Sequence, residues 1–124
     1  MIDRIQVVAI VLCVLFLLAV LELVRRRKLI EEYSNEKRVT KDTPPTFIFH
    51  TSADTAVLPE NAVRFYLACK AAGVPCEIHI YEKGRHGVGL GRDPRWTGGE
   101  RSVATWPDRL ADWMRSRGLL TQAK

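Results

Sequence analysis

The sequence predicts an α/β chain, in which a strand–helix–strand–helix unit with a parallel strand pair follows one long N-terminal transmembrane helix. Three observations carry that expectation. Residues 5–24 form a 20-residue stretch in which only Gln6 and Glu22 are polar. From Thr46 onward, two short β-rich runs are separated by a helical pattern, and a second helical pattern closes the chain. Between the second run and the last helix, Gly84, Gly87, Gly89, Gly91, Gly98 and Gly99 punctuate a long loop. At 124 residues and 47% apolar, the chain suits one modest domain and excludes wholesale disorder. The three cysteines, Cys13, Cys69 and Cys76, are odd in number and widely spaced. They argue against a disulfide framework or a cysteine-based zinc site.

The apolar stretch would span roughly 30 Å as a helix, enough to cross a bilayer core. It has no amphipathic stripe, and Arg25, Arg26, Arg27 and Lys28 follow it directly. A signal peptide fits less well, because the basic cluster follows the apolar run and no small-residue cleavage site comes after it. A buried soluble helix would need more chain to wrap it than remains. The basic flank then places the C-terminal part in the cytoplasm, with the protein a single-pass component of the cytoplasmic membrane.

Residues 1–34 are therefore expected to be the transmembrane helix and its basic flank, and 35–43 a charged linker. Ser34-Asn35 is a weak point for the helix, and Pro44-Pro45 ends any helical pattern. Residues 44–120 form the soluble α/β piece and 121–124 a tail. Within that piece, 46–50 read as a strand. Pro59-Glu60 open a helix carrying Val63, Tyr66, Leu67 and Ala71 at helical spacing, and Gly73 stops it. Residues 76–81 form the second strand, and 83–101 a long loop, mobile or functional. Thr105 and Asp108 are spaced as a capping box for a last helix closed by Gly118. Two strands joined by a helical crossover are most simply parallel and right-handed. Such a pair leaves strand edges open and looks like the end of a larger sheet.

Catalytic groups in open α/β sheets sit beyond the carboxyl ends of the strands. Asp54 follows the first strand and His86 the second, so both emerge at one sheet edge. An Asp can fix a His tautomer and leave the other ring nitrogen as a base. The competing reading is a surface Asp in an Asx-turn and an unrelated loop His. His50 and His79 read as packed or hydrogen-bonded strand residues. No His/Asp/Glu grouping has metal-ligand spacing, no cofactor motif is present, and no nucleic-acid module is evident despite the net charge of +5.

Several stretches resemble the C-terminal part of α/β-hydrolase esterases of the acetyl- or xylan-esterase type, relatives of the dienelactone hydrolase and prolyl oligopeptidase groups. They are Pro-Pro-Thr-Phe-Ile-Phe-His-Thr at 44–51, Asp54-Thr55-Ala56-Val57, Ala72-Gly73-Val74-Pro75, His79-Ile80-Tyr81-Glu82-Lys83-Gly84, His86-Gly87 and Trp106-Pro107-Asp108. The resemblance implies a partial α/β-hydrolase fold, with Asp54 as triad acid and His86 as triad base. It also implies a nucleophile on an upstream Gly-x-Ser-x-Gly turn, a pattern these 124 residues lack. The serines Ser34, Ser52, Ser102 and Ser116 stand in other settings. Residues 1–34 are similar to the start of small bacterial membrane proteins, which implies a fusion of two partial genes.

The expected function is thus a hydrolase-related, esterase-like fragment that carries the Asp and His of a triad and is inactive alone. The alternatives are a non-catalytic, membrane-anchored interaction protein, or a small membrane protein with an accidental hydrolase-like tail. Expected partners are the lipid bilayer and a complementing hydrolase fragment or a second copy, meeting the exposed sheet edges.

Overall fold

The computed structural model describes residues 3–121, and the expected tail lies, apart from Thr121, outside the described residues. The chain divides into two compact units, 1–37 and 38–124.

The first unit is built on one helix, α1 (Arg4–Tyr33), of 30 residues, and a 3₁₀ turn (Asn35–Arg38) opens the stretch expected to be a charged linker. Asp3 starts it with a reciprocal cap that the sequence reading did not anticipate. Its side chain accepts the Gln6 N–H at 2.8 Å, while the Gln6 side chain accepts the Asp3 N–H at 3.2 Å. Glu22, the last polar interruption of the apolar run, pairs with Arg26 at 3.0 Å and Arg25 at 3.8 Å, one helical turn away. The helix stops at Ser34, whose hydroxyl donates to the Ile30 carbonyl. Among the described residues, α1 is the one helix long and apolar enough to cross a membrane. Membrane anchors, signal sequences and core helices share that length and apolarity, and no residue of α1 is buried here.

The second unit is built on two parallel strands, β1 (Thr46–Thr51) and β2 (Cys76–Tyr81), in unbroken register from Thr46 opposite Cys76 to Thr51 opposite Tyr81. The Thr46 N–H donates to the Pro75 carbonyl at one end, and the Ser52 N–H to the Tyr81 carbonyl at the other. Side chains alternate across such a sheet. Phe47, Phe49 and Thr51 therefore share a face with Glu77, His79 and Tyr81. The helix α4 (Trp106–Ser116) covers this face. Trp113 meets Phe47 edge-on at 5.9 Å, and Trp106 stacks on Phe49 at 4.8 Å. The crossover helix α2 (Glu60–Ala71) supplies the fully buried Cys69, which contacts Cys76 at the start of β2.

Both glycines expected to end helices do so with a positive φ. Gly73 and Gly118 each take φ +70°. In each case the next residue reaches back to close the last turn, Val74 N–H to the Cys69 carbonyl and Leu119 N–H to the Met114 carbonyl. The capping box expected at Thr105 does not form. Thr105 has helical backbone angles and makes no side-chain cap. Its hydroxyl donates to the Ser102 carbonyl at 2.6 Å and meets the Tyr81 hydroxyl at 3.0 Å, because a 3₁₀ turn (Ser102–Thr105) already leads into α4. Strand β1 also runs one residue further than expected, through the buried Thr51.

Candidate active site

Thr51, the last residue of β1, ties the two loops of the site together. Its backbone carbonyl accepts the Asp54 N–H, starting the turn after β1. Its hydroxyl donates to the Gly84 carbonyl at 2.8 Å, holding the start of the loop after β2. Gly84 has φ +127°, and a Cβ there would lie 2.8 Å from the Thr51 methyl group. Only glycine fits this approach without displacement.

Asp54 is buried, at 7% exposure. One carboxylate oxygen accepts two backbone N–H groups, from Ala56 at 3.0 Å and Val57 at 2.9 Å. The other meets His86 Nδ1 at 3.0 Å. Asp54 thus combines an Asx-type turn with a bond to His86, and it is buried rather than a surface residue. The Val57 N–H above all keeps the carboxyl below the ordinary Asp range; burial opposes this, and His86 and the Ala56 N–H reinforce it. With Asp54 ionised, Nδ1 of a neutral His86 is the protonated nitrogen, and Nε2 carries the lone pair.

His86 is the exposed member, with 61% of its side chain open. Its Nε2 makes no hydrogen bond among the described residues. The ring borders a hollow of about 270 Å³ lined also by Phe49, His50, Asp54, Arg85 and Val88. Tertiary bonds anchor the segment around it. The Arg85 N–H donates to the Trp96 carbonyl at 2.7 Å, and Trp106 Nε1 donates to the Gly89 carbonyl at 2.9 Å. The stretch expected to be a loop over 83–101 also contains a helical turn, α3 (Pro94–Thr97), capped by the Asp93 side chain.

The remaining candidates lie elsewhere or are occupied. Nδ1 of His50 accepts the Thr51 N–H at 2.9 Å. His79 bonds Glu77 at 2.7 Å on the α4 face of the sheet. The Ser34 and Ser116 hydroxyls donate to carbonyls of their own helices, and no serine lines the hollow. Burial and the adjacent Cys69 push the Cys76 thiol up to about 11. Among the described residues, no group of three His, Cys, Asp or Glu side chains could hold a metal ion. Sequence reasoning missed Thr51 and Trp106 as parts of the site. Thr51 bonds a residue 33 positions away and Trp106 one 17 positions away, and no local motif marks either contact.

Residues 21–115 match the prolyl oligopeptidase family. The chain belongs to that family. The match begins inside α1, upstream of the 44–120 segment that carried the resemblance in the sequence. An acetyl ester-xyloside bifunctional hydrolase from Caldicellulosiruptor lactoaceticus superposes with a TM-score of 0.62 at 38% identity, covering 69% of this chain and 29% of that one. A sugar hydrolase from Lactococcus lactis gives a TM-score of 0.65 at 35% identity, over 71% of this chain and 36% of that one. Among curated proteins, an acetylxylan esterase from Xylanibacter ruminicola is 38% identical over 66 residues, which are 52% of this chain and 14% of that protein. Endo-1,4-beta-xylanase B of Butyrivibrio fibrisolvens is 35% identical over 74 residues, 12% of its length. The chain thus spans about a third of the solved structures and a far smaller share of the curated relatives.

Proposed function

We propose that this member of the prolyl oligopeptidase family carries the acid–base half of a serine-type ester hydrolase, with Asp54 as the triad acid and His86 as the base. The observation that carries the reading is the 3.0 Å contact between Asp54 and His86 Nδ1, with Nε2 left facing the hollow. In this role His86 Nε2 takes the proton of an attacking hydroxyl as its oxygen bonds the acyl carbon. It then returns that proton to the departing alkoxide. Asp54 stays ionised and stabilises the imidazolium. Water enters the second half-reaction by the same route and releases the acid. The hydroxyl nucleophile and the oxyanion donors come from a polypeptide segment outside these 124 residues, seated against the open edges of the two-stranded sheet.

The segment 1–34 acts on this reading as a single-pass anchor in the cytoplasmic membrane, with Arg27 and Lys28 beyond the Glu22–Arg26 pair on the cytoplasmic side and the hydrolase-like unit in the cytoplasm. The chain should therefore resist carbonate extraction, and full-length protein recovered in the soluble fraction without detergent would remove the anchor.

The test of the chemistry compares the chain alone with the chain supplied in trans with the upstream half of a related esterase, on acetyl and short acyl esters. Alone, no stoichiometric labelling by a serine-directed phosphonate is expected. With the complement, activity should appear and should fall with His86→Ala or Asp54→Ala. Multiple-turnover hydrolysis by the chain alone, with one labelled residue, would show a nucleophile within it. Activity on complementation that both substitutions leave unchanged would remove Asp54 and His86 from the mechanism.

A further inference from the structure

The segment 85–117 holds seven arginines. Five have a partner. Arg95 pairs with Asp93, Arg109 and Arg115 with Asp112, Arg85 lies over Trp96, and Arg117 over Trp113. The two without an ion pair or ring contact among the described residues are Arg92 and Arg101. Both line the same cavity, of about 500 Å³, with Gly91, Thr97, Glu100 and Ala104. That volume lies within the usual range for small-molecule sites.

The cavity walls are held by the fold. Gly91 sits so close to Val103 that a Cβ would lie 2.7 Å from its backbone carbonyl, which joins the Arg92 side of the cavity to the Arg101 side. Thr97 is buried, and the Glu100 N–H donates to its carbonyl. The Glu100 carboxylate accepts the Ser102 N–H at 3.0 Å, and that bond first of all keeps it below the ordinary Glu range. The Ser102 hydroxyl, the nearby Lys83 and the Arg101 N–H act in the same direction, so Glu100 stays ionised, and its two carboxylate oxygens keep acceptor capacity for a ligand. Two guanidiniums and one carboxylate leave the lining itself one positive charge in excess, with Lys83 acting on Glu100 from outside the lining. A single carboxylate on the ligand balances it, and hydroxyl groups on the ligand satisfy Glu100. A dianion would meet Glu100 with like charge.

We propose that this cavity binds a small sugar acid, a uronate-like ligand whose carboxylate is held by Arg92 and Arg101 and whose hydroxyls face Glu100. The site is separate from Asp54 and His86 and does not depend on ester cleavage.

The experiment titrates D-glucuronate, D-glucose and inorganic phosphate into the full chain in non-ionic detergent at low ionic strength, followed by calorimetry. Saturable glucuronate binding is expected, with glucose and phosphate each weaker by about tenfold or more. Arg92→Gln and Arg101→Gln should each weaken glucuronate by about fivefold or more, since each loses a charge-assisted contact. Lys70→Gln, an exposed cation on α2, should leave it unchanged. Should a variant unfold, the salt dependence of the unaltered chain decides, because the affinity should fall as ionic strength rises to about 0.15 M. No saturable binding, equal binding by the arginine variants, phosphate binding as tight as glucuronate, or insensitivity to salt would each overturn the proposal.

Discussion

Replacing Gly91 by alanine isolates a steric contact on which the loop after β2 depends. Two effects add at this position. The backbone has φ +71°, where an L side chain costs about 1–2 kcal/mol. The new methyl group would also lie 2.7 Å from both the carbonyl carbon and the oxygen of Val103 and 2.8 Å from Ala104 N. Ordinary carbon contacts are about 3.5–4.0 Å. All three neighbours are backbone atoms, so no rotamer change relieves the clash. Overpacking of this kind costs about 1–3 kcal/mol, and the sum is about 2–5 kcal/mol. Gly87→Ala supplies the control. Gly87 has φ +81° but nothing within 4 Å of a built Cβ, so it carries the backbone cost alone. The assay is urea unfolding of the full chain in detergent, read by tryptophan fluorescence, with Trp106 reporting through its bond to Gly89. Gly91→Ala should unfold at a distinctly lower urea midpoint than Gly87→Ala. Equal midpoints would show that the close approach to Val103 places no constraint on the fold.

Thr51→Val removes the donor to the buried Gly84 carbonyl, and a loss of about 1–3 kcal/mol is expected in the same unfolding assay; an unchanged midpoint would refute a structural role for that bond. Asp54 has a folded pKa below its ordinary value of 3.8, so its contribution is present above that value and is lost as the pH falls further through the folded pKa. Asp54→Asn should therefore flatten the loss of stability on acidification below pH 3.8, and an unaltered acid limb would contradict the assignment. The Cys76 thiol, pushed up to about 11, should alkylate slowly near neutrality and faster by about tenfold per pH unit up to that region, as followed by mass spectrometry; rapid labelling near neutrality would refute the effect of its partial burial beside Cys69.

Much of the second unit was legible because its signals are local. Pro59, Gly73, Pro75 and Gly118 punctuate the helices where the structure begins or ends them, and the two β-rich runs are the two strands. The expectation that Asp54 and His86 emerge at one sheet edge needed only the parallel order, and the structure brings them to 3.0 Å. Most of what failed depended on partners distant in sequence. Thr105 has the residue type and spacing of a cap, yet its hydroxyl is drawn to Ser102 and Tyr81 instead. The glycines of 83–101 suggested mobility, but Gly84 and Gly91 serve close approaches to Thr51 and Val103. A glycine that permits motion and one that permits contact are identical in one dimension. The Asp3–Gln6 cap is the exception, a local pairing three residues apart that the sequence reading did not anticipate.

The even register of the two strands acts as a common zero mark for both site loops. Thr51 and Tyr81 are level, so the chain reaches Asp54 and His86 by counting outward from the same rung. Residues added between Ala72 and Pro75 would lengthen the crossover and leave that count intact. A single residue added within Cys76–Tyr81 would turn every later side chain of the strand to the opposite face and shift the origin of the His86 loop by one step. Length variation in this unit should accordingly be tolerated in the crossover and refused in the strands, and a library of one-residue insertions scored for folding would map that boundary directly.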